Sequence, residues 1–156
     1  MIPVPVWRLL HLFFAFAFVG TLLVAEANGR AARKAKDWAL RSQLWGIVGN
    51  TTSVGGVGSL LALGVLGNLL AIGLGYRMSA DGWLRWVNGL WLLAVLVQAV
   101  VVAPGASRLA GLARTAAGGG RAEGYDAAAR RWRVGNLAQS LLYLVFLFLM
   151  VFHHKS

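Results

Sequence analysis

The sequence predicts an all-α fold, an integral membrane antiparallel four-helix bundle that forms a single transmembrane domain over residues 1–156. Three observations carry this prediction. The first is composition: 58% of the residues are apolar, 13% are charged and mean hydropathy is +0.67. A water-soluble domain has about a quarter of its residues charged. The second is the spacing of charges. Uncharged runs of 17, 35, 22 and 21 residues separate Arg8 from Glu26, Arg41 from Arg77, Arg85 from Arg108 and Arg133 from Lys155. A helix needs ~20 mostly apolar residues to cross ~30 Å of hydrocarbon. The third is that the loops between these runs alternate between strongly and weakly basic.

The first span is expected at about residues 5–26. It carries Arg8 before its apolar run, and Ala25-Glu26-Ala27 has the form of a signal-peptidase site. The basic segment Asn28–Lys36 (NGRAARKAK) follows directly and marks it as a retained span. The second span is expected at about 50–75, within a run too long for one straight crossing. Thr51-Thr52-Ser53 and Gly55, Gly56 and Gly58 place a kink or a protruding turn near 51–58. Gly67, Ala71 and Gly75 have the small-xxx-small spacing of a close helix seam. The third span, about 84–104, is expected to stop at Pro104-Gly105. Thr115–Gly124 reads as a flexible loop and Tyr125–Arg133 as a short basic helical lead-in. The fourth span covers about 135–153. A β-barrel is excluded, since the runs are long, do not alternate and are too few.

Orientation follows from Lys and Arg. Loops 27–43 and 106–133 hold 11 basic residues, whereas Arg8, Arg77, Arg85 and Lys155 are the four on the other side. Positive charge is retained on the cytoplasmic side. The expectation is a multi-pass protein of the bacterial cytoplasmic (inner) membrane, with both termini outside. Trp7, Trp83 and Tyr76 are then expected at the outer interface, and Trp38, Trp45 and Trp132 at the inner one. The net charge of +10 is mostly this topology signal. It is not gathered on one domain and no nucleic-acid motif accompanies it, so nucleic acid is excluded as a partner. The expected partners are the lipid bilayer and either further copies of the chain or other membrane subunits. The absence of Cys excludes disulfide-stapled modules and Cys-ligated zinc or iron–sulfur sites.

No catalytic constellation is present. The five carboxylates, Glu26, Asp37, Asp81, Glu123 and Asp126, lie in loops or at span ends. His11 stands apart, because an ionisable residue within a span is costly and points to function. His153 and His154 lie at the end of span four, and an even number of crossings brings all three histidines to one side. Imidazole ligates haem iron, copper and zinc. His11 is therefore a candidate axial ligand of haem b, with His153 or His154 as the second, or part of a three-His metal site. The alternative is a structural imidazole satisfied by a neighbouring carbonyl or Asn. Asn50, Thr51, Gln98 and Gln139 share one half of the bilayer, and Asn68 and Asn88 share the other with His11. They either hydrogen-bond between helices or line a polar cavity for a small ligand or quinone headgroup.

Arg8-Leu9-Leu10-His11 running to Phe18-Val19-Gly20 resembles the "LH…GxxxWxGG" opening of a bacterial four-span family of predicted integral membrane proteins of unknown function. The likeness continues through Leu92–Val102 to Pro104 and Arg108-Leu109, then Tyr125–Arg133 and Leu147–Val151. That family is similar in turn to the copper-resistance-D and HemJ-type (protoporphyrinogen oxidase) membrane proteins. The resemblance implies haem binding through the span-one histidine, here His11. The family's Trp near Phe18 is missing, and its closing Lys-Pro is replaced by His153-His154-Lys155-Ser156, so oxidase activity is not carried over. Three functions are expected on these grounds. One is a non-enzymatic accessory or structural subunit of a membrane complex, packing through its Gly-rich second span. The second is a haem b or metal-binding protein in redox or cofactor handling, with His11 as ligand. The third is a small transporter or channel subunit.

Overall fold

A computed structural model describes residues 3–77 and 80–152. Among these residues all regular structure is helical, in four long antiparallel helices: α1 (Val4–Lys34), α2 (Trp38–Gly73), α3 (Gly82–Ala117) and α4 (Tyr125–Phe152). All four are long and apolar enough to cross a membrane. Their surface is inside out by the standards of a soluble protein: Phe16 is 73% exposed, Val54 79% and Phe148 60%. Contiguous exposed apolar surface of this kind needs lipid or another apolar partner. The protein is a multi-pass membrane protein whose outer face is its hydrocarbon face.

α1 begins with Pro5 in its first turn, where the missing N–H costs nothing. His11, Phe18, Thr21, Ala25, Gly29 and Ala32 are its buried residues, at three-, four- and seven-residue steps that keep one stripe inward. The Asp37 carboxylate accepts from the Ala39 and Leu40 amides at 3.1 and 3.2 Å and starts α2. α2 ends at a turn in which Gly75 takes φ +82°, the left-handed region that glycine adopts without strain.

Both central helices widen in mid-course. Thr51–Val57 of α2 and Val97–Val102 of α3 are π-helical. The expected irregularity at 51–58 is thus a wide turn within one continuous helix. α3 does not stop at Pro104. The helix runs on to Ala117, with Pro104 in the first turn after the wide segment, a position where its lost N–H is tolerated. The basic regions between spans are likewise largely helical. α1 continues through Arg30, Arg33 and Lys34, and α4 starts at Tyr125. Only residues 35–37 and 118–124 interrupt helix at this basic end.

Two cores result. At the basic end Trp45 and Trp132 cross edge to face at 4.8 Å, and Trp45 Nε1 donates to Tyr125 Oη at 2.8 Å. These tryptophans are 0% and 1% exposed. They sit inside the bundle at that end, rather than among lipid headgroups, because Gly29 and Gly105 leave room for the Trp132 ring. At the terminal end, where both chain ends emerge, Phe18, Leu60, Ala94 and Phe146 pack together.

Candidate functional site

The terminal half of the bundle holds a half-open cavity of about 430 Å³ lined by all four helices. This size is within the range of small-molecule sites. Its polar wall is Arg8, His11, Asn68, Asn88 and Tyr143, and its apolar wall includes Trp91 and Phe146.

Each side chain is placed by a local device. His11 is 8% exposed and its Cε1 lies 3.1 Å from where a Cβ would stand at Gly67, so glycine is what lets the imidazole against α2. The Leu63 backbone lies beside the ring. Nδ1 has no partner among the described groups. Trp91 lies over Gly64, where any Cβ would overlap the indole, and its Nε1 donates to the Leu60 carbonyl at 2.8 Å. Asn68 and Asn88 clasp α2 to α3: Asn68 Nδ2 donates to Asn88 Oδ1 at 2.8 Å and Asn88 Nδ2 returns to Asn68 Oδ1 at 3.2 Å. Each amide also donates to the carbonyl four residues back, Gly64 and Leu84. Tyr143 Oη donates to the Ala15 carbonyl at 3.4 Å and its ring lies 5.5 Å from Phe18.

The expected grouping of His11 with Asn68 and Asn88 in one half of the bundle is therefore present, in the wall of one cavity. His153 and His154 lie outside the described residues. Among the described residues no three His, Cys, Asp or Glu side chains are placed to hold a metal ion. In the other half, Gln98 donates from Nε2 to the Thr52 carbonyl at 2.9 Å and so ties the two wide turns together. Asn50 is exposed, whereas Gln139 is buried.

Two features escaped the sequence reading. Asn136, 3% exposed, donates to Glu26 Oε2 at 2.9 Å, so a half-buried carboxylate toward the end of the first span is tied to α4. Its signal is the helical spacing of Asn136, Gln139 and Ser140. Trp91, a cavity wall, carries no signal of its own, because sequence does not say which glycine receives which ring. Comparison of the chain with family models, curated proteins and solved structures returns no match.

Proposed function

We propose that the protein is a membrane-embedded binding protein whose terminal-end cavity takes a flat, largely apolar molecule from the lipid phase. His11 meets the one polar or metal-bearing group of that molecule. The observation that carries this reading is an imidazole buried in the wall of a 430 Å³ cavity with Nδ1 unpartnered. A buried polar atom without a partner is costly, and the adjoining Trp, Tyr and Phe side chains suit a ring system. The accessory-subunit alternative relies on small residues of the second span meeting another chain. Gly67 instead meets His11 and Ala71 is 7% exposed, so that seam is used within the bundle.

Haem b is the narrower form of the proposal. His11 would supply an imidazole to the iron, Arg8 in the same cavity wall would pair with a propionate, and Met150, which also lines the cavity, would offer a thioether. Bound haem would supply one-electron chemistry. The chain's own part would be to ligate through His11, hold the carboxylates at Arg8 and keep water from the ring with Trp91 and Phe146. The basic end is placed in the cytoplasm of a bacterial inner membrane on the charge asymmetry alone.

The test is the absorbance spectrum and native mass spectrum of protein purified in mild detergent. Wild type is expected to retain a small molecule that His11→Ala loses. For haem the retained species gives a Soret band that shifts on dithionite reduction. A colourless wild-type protein without added mass, and no less stable as His11→Ala, would contradict the proposal.

A further inference from the structure

A second polar level lies deeper in the bundle, apart from the His11 cavity. Gln98, Gln139 and Asn136 are 0%, 1% and 3% exposed. The amide nitrogen of Gln98 donates to the Thr52 carbonyl and that of Asn136 to the Glu26 carboxylate. Gln98 Oε1, Asn136 Oδ1 and both amide atoms of Gln139 have no hydrogen-bond partner among the described groups.

Packing sets the depth of these residues. Gly135 of α4 lies against Val101 and Val102 of α3. One turn from that contact toward the terminal end is Gln98 on α3 and Gln139 on α4, since the helices are antiparallel. Gly56 of α2 faces both the Gln98 amide and the Thr21 methyl of α1. All four helices thus contribute to one level, beside the paired wide turns. One turn toward the basic end is Asn136, then Glu26, which holds Arg30 at 2.6 Å and Arg33 at 3.8 Å. Arg33 Nη1 and Trp132 Nε1 are also buried and unpartnered.

At the Gln98–Gln139 level the unpartnered atoms are two acceptors, Gln98 Oε1 and Gln139 Oε1, and one donor group, the Gln139 amide nitrogen. A cation would serve only the oxygens and an anion only the N–H groups. Water serves both and is the usual occupant of buried sites with several polar partners. We propose that Gln98 and Gln139 flank an internal water-binding site at mid-bundle, reached from the basic end past Glu26 and Asn136.

The chain has three glutamines, of which Gln43 is exposed. Gln43→Ala therefore leaves the side-chain amides of Gln98 and Gln139 as the sole glutamine signals, with the site untouched. The experiment is solid-state NMR of this protein in lipid, labelled with 15N at the glutamine side chain. Magnetisation is transferred from water, and exchange is then followed in D2O. Water transfer to the buried amides is expected, and Asn136→Leu is expected to slow their exchange about tenfold or more, as closure of an opening route does. Two amides that receive nothing from water, while main-chain amides of the basic loops do, would overturn the site. An exchange rate unchanged in folded Asn136→Leu would overturn the route. The first measurement stands whether or not Asn136→Leu folds.

Discussion

Gly64 and Gly67 show how single residues set the cavity. Glycine is a poor helix former in water, yet here each absent Cβ is the space that a ring from another helix fills. Gly64→Val forces Trp91 off α2 and breaks its bond to the Leu60 carbonyl. It is expected to destabilise the protein by about 1–3 kcal/mol, as overpacking does, and to lower the thermal midpoint in detergent. Gly20→Val is the control, since nothing lies within 4 Å of its Cβ position. Equal midpoints for the two variants would contradict the packing. The Asn68–Asn88 clasp is tested by a double-mutant cycle with alanine. Interhelical hydrogen bonds in membranes contribute ~0.6 kcal/mol and rarely exceed ~1.7, so a positive coupling within that range is expected. A coupling of zero would leave the amide pair without energetic content.

At the scale of elements, the wide turns let α2 and α3 each take in an extra residue and still keep their faces. A π-helical turn is one residue inserted into an α-helix, with the register on either side preserved. Deleting Val54, 79% exposed within Thr51–Val57, is expected to return α2 to regular helix with Gly64, Gly67 and Asn68 still facing their partners. Deleting Val65, 55% exposed in the regular part, turns everything beyond it by about 100° and carries Gly67 and Asn68 away from theirs. Monodisperse elution of the first deletion and aggregation of the second is the expected chromatographic result. The reverse would refute the inserted-turn account. These elements were unevenly legible in the sequence. The spans were plain, because charge cannot remain in hydrocarbon and its gaps mark the crossings. The wide turns were not, because the i→i+5 pattern has no hydropathy period of its own. Pro104 read as a stop because a proline inside a helix and one just past a wide turn are the same residue with different neighbours. His11 stood out as the lone ionisable group deep in a run, but its cavity did not, since that depends on which glycine meets which ring.

The whole molecule is an apolar cylinder with one strongly basic end. Arg41 lies over the Trp38 ring at 4.3 Å and over Tyr125 at 5.4 Å, so part of that charge is also used to hold the aromatic core of the basic end. Arg41→Gln is expected to lower stability at that end, read as faster proteolysis of the 35–37 turn in membranes, while leaving the ligand of the His11 cavity bound. Everything at larger scale depends on alternate connections emerging on opposite sides of a bilayer. The chain has no Cys, so Ala35→Cys and Ala80→Cys each place one reporter in a connection on either side of α2. A membrane-impermeant thiol reagent applied to intact cells or sealed spheroplasts is expected to label the thiol at position 80 at once and that at position 35 only after the membrane is opened. Labelling of both positions from the same side would contradict the four crossings, and with them the shared end of the bundle on which the His11 cavity is built.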